Sequence, residues 1–277
     1  MNTTLKRSIF GVLFLAVMLG GLLFHEALYV ILFAFITGVM LYEFYGMTMG
    51  GSMRDLQGSG IFVGVFIFIA ANSYFFSGAH LARFVASWLI GVGYLMIRSI
   101  FLKDHTDFLK TGYLYAGLVY IALPMALSNA VVTTNGEYSG LLMVAFFCVI
   151  WASDVGAYCF GMLLGQKVWP AKMCPSISPK KSWAGFFGGL ILAMIAGAIL
   201  HGTGLFAFPM WHCLIVSVLM HVMGVLGDLF ESLWKRAAGI KDSGKILPGH
   251  GGLMDRFDSA LFAIPTAYVY LLLFDLV

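Results

Sequence analysis

Charge is what this sequence has least of. Only 10% of its 277 residues are Asp, Glu, Lys or Arg and 61% are hydrophobic, whereas soluble domains carry about 25% charged residues. So little charge excludes an ordinary water-soluble chain. Alternating polarity is missing too: the apolar residues form long unbroken runs, which excludes a membrane β-barrel and suits helices of the ~20 residues a bilayer requires. The four cysteines, Cys148, Cys159, Cys174 and Cys213, include no Cys-x-x-Cys pair. That leaves no basis for a structural zinc or dithiol site, and they read as small buried hydrophobes. No Walker A or GxGxxG motif, internal repeat or low-complexity tail is present. The apolar stretch after Lys6 and Arg7 reaches about Phe24 without a small-residue cleavage site, which predicts a retained first helix rather than a signal peptide.

What is present is a series of nine apolar spans, roughly 8–24, 27–47, 59–76, 80–98, 112–131, 139–165, 184–206, 211–231 and 257–277. With the N-terminus placed in the cytoplasm and the spans alternating, fifteen of the sixteen Lys and Arg residues fall on the cytoplasmic side, Arg83 being the exception. The positive-inside rule produces that segregation and chance does not. The predicted fold is therefore an all-α integral membrane protein of nine transmembrane helices, with the N-terminus cytoplasmic and the C-terminus outside. It forms one polytopic domain over 1–277, in which 1–138 has no assigned role and 139–277 carries the chemistry.

Charge and glycine concentrate in one stretch, SLWKRAAGIKDSGKILPGHGGLMDRFD, from Ser232 to Asp258. Just upstream, Asp228 sits inside an apolar run, with Glu231 and Ser232 on the same helix face at i+3 and i+4. Asp255 and Asp258 open the last span, where the helix dipole favours carboxylates. Three carboxylates at one membrane level form a candidate metal site, and oxygen-only ligation suits Mg²⁺. Lys235, Arg236, Lys241 and Lys245, with Gly239, Gly244, Gly249, Gly251 and Gly252, supply positive charge and close backbone approach for a polyphosphate. A plain solvated basic loop is the alternative, and it leaves the interleaved Asp residues unexplained. A second basic patch, Ser178-Pro179-Lys180-Lys181-Ser182-Trp183, reads either as a membrane anchor or as a lipid-headgroup site. Asp154 lies near mid-membrane in span six beside a small-residue ladder, Ser153, Ala157, Gly161 and Gly165, which permits close helix packing. Asn72, His221 and Glu43 read as structural hydrogen-bonders, and His105 with Asp104 and Asp107 as a solvated loop.

The pattern Ser232-x-x-Lys235-Arg236-x4-Lys241-Asp242, followed by Pro248-x-His250-Gly251-Gly252-x-x-Asp255-Arg256-x-Asp258, resembles the signature of the phosphatidate cytidylyltransferases, the CDP-diacylglycerol synthases. The resemblance extends to Gly227-Asp228, to Lys180-Lys181 with Trp183-x-Gly185, and to Asp154-x-x-Ala157-Tyr158, and is firm over 150–260. One position departs: the family commonly has an acidic residue where this chain has Ala184. The resemblance implies transfer of CMP from CTP to phosphatidic acid, with release of pyrophosphate, by a homodimer in a bacterial inner membrane. It implies an active site open to the cytoplasm, Mg²⁺ with room for a monovalent cation beside it, and no nucleic-acid partner. Asp228 and Asp255, with Asp258, then serve the metal. Lys235, Lys241, Arg236 and Ser232 take the triphosphate, Lys180 and Lys181 the lipid phosphate. Asp154, Asp242, His250, Gly251, Gly252 and Arg256 complete the site. A CTP-dependent lipid-alcohol kinase and an ion-coupled transporter are the competing readings.

Overall fold

The computed structural model describes residues 3–78, 80–102, 105–134, 137–165, 168–244, 246 and 251–277. His250, Lys245, Gly249, Lys103, Asp104 and Lys167 lie outside the described residues. Helices occupy all nine predicted span positions: α1 (Thr3–Leu23), α2 (Glu26–Met49), α3 (Arg54–Ser77), α4 (Leu81–Ile100), a composite fifth, α7 (Leu141–Leu163), α8 (Trp183–Gly202), α9 (Met210–Ala237) and a broken ninth. Among the described residues seven of these stretches are long and apolar enough to cross a bilayer. The apolar part of α1 is shorter, Ile9–Leu23.

The composite span joins α5 (Gly112–Gly117) to α6 (Leu123–Val131) through a π-helical turn, Leu118–Ala122. Pro124 explains it. Proline has no N–H to give to the preceding turn and its ring crowds that turn, so the helix widens just before it. The Leu123 N–H accordingly reaches back to the Leu118 carbonyl. The ninth span differs from the expected continuous helix beginning at 257. It starts earlier, as α10 (Met254–Phe257), breaks, and resumes as α11 (Ala260–Leu273). At the break the Asp258 carboxylate accepts the N–H of Ser259 at 2.7 Å, a local bond that competes with helix formation. α9 also runs six residues beyond its expected end at 231; its 28 residues span about 42 Å at 1.5 Å each, more than the ~30 Å hydrocarbon core.

The chain folds as two compact units. The first comprises Met1–Gly140 with Ala238–Arg256. Its core is aromatic, with Tyr29, Phe33, Phe44, Tyr45 and Phe68 fully buried. Two of its buried phenols are hydrogen-bonded, as buried hydroxyls usually are: Tyr45 donates to the Leu114 carbonyl at 2.9 Å and Tyr29 pairs with Ser128 at 2.7 Å. A two-stranded ribbon, β1 (Thr133–Thr134) with β2 (Glu137–Tyr138), closes this unit's first segment.

The second unit comprises Leu141–Ala237 with Phe257–Val277. Here α7 and α8 touch backbone to backbone. A methyl added at Gly156 would strike the Gly188 carbonyl, and one at Gly185 the Ala157 carbonyl. Ser153 and Gly161, of the expected small-residue ladder, also face α8 glycines. Small side chains are what let two membrane helices approach this closely. Between α7 and α8 the basic patch forms a hairpin, β3 (Lys172–Cys174) paired antiparallel with β4 (Ser178–Ser182).

Candidate active site

In the second unit the hairpin delivers its lysines to one cavity of about 250 Å³, lined by Asp154 and Tyr158 of α7, Lys180 and Lys181 of β4, and Asp228 of α9. Strand alternation turns Lys181 inward while Lys180 stays exposed at the rim. Ser182 then caps α8, its hydroxyl accepting the Gly185 N–H at 3.1 Å, which fixes the end of the hairpin. The Lys181 ammonium lies 2.7 Å from Asp228 Oδ2 and donates to the Val225 carbonyl at 3.3 Å. Ser232, one turn along α9, donates to the other carboxylate oxygen at 3.3 Å. Both members of the ion pair stay accessible, the side chains being 21% and 35% exposed, as a group that exchanges partners must be.

Asp258 lies within electrostatic reach of Asp228, Glu231 and Asp154. Gly227 makes room for it, because a side chain there would strike the Asp258 carbonyl. Beyond the cavity, Lys235 is buried with its ammonium 2.5 Å from Glu231, and Arg236 donates through Nε to the Ile177 carbonyl at 3.3 Å. Arg236 thereby ties the end of α9 to the hairpin. Behind the cavity Ser153 and His221 share a 2.8 Å hydrogen bond, the structural role expected for this histidine.

The first unit holds the rest of the signature. Asp255 Oδ2 accepts the backbone N–H of Ser243 at 3.0 Å and of Gly252 at 2.7 Å, with the Ser243 hydroxyl at 3.1 Å. Gly251 takes a positive φ of 85° immediately before this contact, a conformation glycine adopts without strain. The same loop is held from below by Glu43 of α2, only 4% exposed. Its oxygens accept the N–H groups of Leu253 at 3.0 Å and Met254 at 2.8 Å, and the Ser243 hydroxyl at 3.2 Å. Gly244 and Gly252 pass so close that a side chain on either would strike Glu43. Lys241 and Asp242 are exposed and line a second, wider cavity in this unit, and Arg256 is exposed as well.

The structure thus gathers Asp154, Lys180, Lys181, Asp228, Ser232 and Asp258 in one unit, and Lys241, Asp242, Gly251, Gly252 and Asp255 in the other. Among the described residues no three His, Cys, Asp or Glu side chains close into a metal cluster on their own. Glu43 is the structural hydrogen-bonder that the sequence leads one to expect. The sequence holds one signal for a larger role, a carboxylate inside an apolar span, and nothing pointing to a loop 200 residues away.

Comparison with known proteins decides the family. Residues 5–274 match the cytidylyltransferase family. The chain belongs to that family. The phosphatidate cytidylyltransferase of Bacillus subtilis (strain 168) is 35% identical over 212 residues, covering 76% of this chain and 77% of its own. That of Staphylococcus saprophyticus is 34% identical over 275 residues, 97% and 98% of the two chains. The Staphylococcus haemolyticus protein of the same name is 36% identical over 186 residues, 66% of this chain and 68% of its own. Near full-length alignment to a family member means that the first half, where the signature is absent, belongs to the same fold.

Proposed function

We propose that this chain is a phosphatidate cytidylyltransferase, joining the phosphate of phosphatidic acid to the CMP portion of CTP with release of pyrophosphate. The family match supports the reaction, and the observation that carries the site is the cavity gathering Lys180, Lys181 and Asp228. A lipid phosphate is already ionised at neutral pH, so its oxygen attacks the α-phosphorus without a general base. One P–O bond forms there, and the bond to the β-phosphate breaks. The obstacle is electrostatic, one anion meeting another, and cationic groups placed where charge develops remove it. Lys180 at the rim and Lys181 within the cavity receive the lipid phosphate. Lys241 and the glycines of the signature loop receive the triphosphate. A triphosphate role for Lys235 requires its pair with Glu231 to open.

The donor set fits a hard cation. Asp228 and Asp258 offer only oxygen, and Mg²⁺ takes one or two carboxylates and fills its shell with water and phosphate oxygens. Bound there, Mg²⁺ supplies neutralising charge to the phosphates. Lys181 provides that neutralisation to Asp228 in the structure itself. An arriving lipid phosphate would compete with Asp228 for Lys181, and Asp228 is a residue that would hold the cation. Replacing Lys181 by Met therefore raises KM for phosphatidic acid, by about tenfold or more, because a charge-assisted contact is lost. Kinetics in mixed micelles with phosphatidate varied at saturating CTP check this; an unchanged KM for the lipid removes Lys181 from the headgroup site.

The distribution of Lys and Arg supports a cytoplasmic N-terminus and an active site facing the cytoplasm, and the family resemblance supports a homodimer in a bacterial inner membrane. The activity itself is tested on purified protein with Mg²⁺. CTP and phosphatidic acid should give CDP-diacylglycerol and pyrophosphate in equal amounts, and diacylglycerol in place of phosphatidic acid should give no product. Phosphorylation of the lipid alcohol would instead select the kinase reading.

A further inference from the structure

The first unit contains a cavity of about 1050 Å³, open at its mouth, between α2, the beginning of α3, residues 240–244 and Ile246. This is at the upper end of the range for small-molecule pockets, ~300–1000 Å³, and ample for a nucleotide. Arg54 of α3 and Lys241 of the signature loop both line it, two cations about 190 positions apart in the chain brought to one cavity. Neither has a carboxylate partner among the described residues. The two lining carboxylates do not cancel them equally. Glu43 is turned to the loop and satisfied by two backbone N–H groups and the Ser243 hydroxyl, while Asp242 is exposed. Gly46 and Gly58 line the same space, and a side chain on either would meet nothing. Their exposed backbone allows a ligand to approach the helices closely. Tyr42, 61% exposed at the wall, offers an aromatic face to a planar ring.

We propose that this cavity is the docking site for CTP, with Arg54 and Lys241 on its phosphates and Tyr42 against the cytosine. The proposal rests on the cytidylyl-transfer reading and assigns part of the first half, 1–138, to nucleotide binding. Arg54 is the residue outside the signature that it commits to. A guanidinium presents a planar fork suited to phosphate oxygens, and its position on a membrane helix rather than in the loop fixes one end of the ligand. Phosphate chemistry is shared by CTP and the lipid headgroup; an aromatic wall beside the cations favours the nucleotide.

The test is steady-state kinetics on the purified full-length protein in mixed micelles, each substrate varied in turn, with equilibrium dialysis of labelled CTP as an independent readout. Arg54→Gln should raise KM and the dissociation constant for CTP about tenfold or more, with KM for phosphatidic acid within about twofold of wild type. Arg54→Lys should restore part of the loss. Gly58→Trp, which fills the cavity without removing a charge, should weaken CTP binding in the same direction while leaving thermal stability unchanged. The proposal falls if CTP binding by Arg54→Gln and Gly58→Trp matches wild type, or if the change in KM appears on phosphatidic acid. Wild-type protein that makes CDP-diacylglycerol while those variants bind CTP normally overturns the cavity assignment alone. Wild-type protein that phosphorylates a lipid alcohol overturns the reaction as well.

Discussion

Asp228→Asn is expected to lower kcat by about a thousandfold while leaving the protein folded. Asparagine keeps the size of the side chain and an oxygen for the Ser232 hydroxyl, so the packing of α9 survives. What it removes is the negative charge now balanced by Lys181 at 2.7 Å. On the proposed mechanism the cavity then lacks an anionic ligand for the cation. Loss of a preorganised charge at a reacting phosphate costs several kcal/mol of transition-state stabilisation, and each 1.36 kcal/mol is about tenfold in rate. Turnover at saturating Mg²⁺ and an unfolding curve on the same sample separate chemistry from stability. More than about a tenth of wild-type activity would mean that Asp228 is not the ligand. Asp154→Asn should be milder: Asp154 lines the same cavity and is read as orienting it, not as a ligand of the cation.

Glu43→Ala is expected to be nearly as damaging by a different route. It strips the acceptor from the Leu253 and Met254 N–H groups and from the Ser243 hydroxyl. A buried donor left without a partner costs about 1–3 kcal/mol, so the loop held by Glu43 should open locally before the helices unfold. Amide exchange at 252–255 should accelerate by about two orders of magnitude, and activity should fall with it. Glu43→Gln keeps one acceptor oxygen and should lie between Ala and wild type. Exchange at these amides unchanged by Glu43→Ala would show that α2 does not hold the loop.

The helices were legible because apolar runs of this length leave a bilayer-spanning chain little else to do, and the chain's scarcity of charge removed the alternatives. Departures occur where local chemistry overrides hydropathy: at Pro124, which forces a π-helical turn, and at Asp258, whose carboxylate takes the next backbone N–H and breaks the last span. The hairpin carrying Lys180 and Lys181 was invisible, since its strands of three and five residues are too short and polar to show a period. Within the site, residues one helical turn apart could be paired from spacing alone, as with Asp228 and Ser232. The partnership of Lys181 with Asp228 depends on where the hairpin ends, and that of Glu43 with Ser243 on folding 200 residues of chain. No periodicity encodes either contact.

The position of the bond broken in CTP tests the account most directly. Purified protein, Mg²⁺ and phosphatidic acid should carry label into lipid from α-³²P CTP, with the β- and γ-phosphates leaving together as unlabelled pyrophosphate. Label entering lipid from γ-³²P CTP, or from neither position, would contradict it.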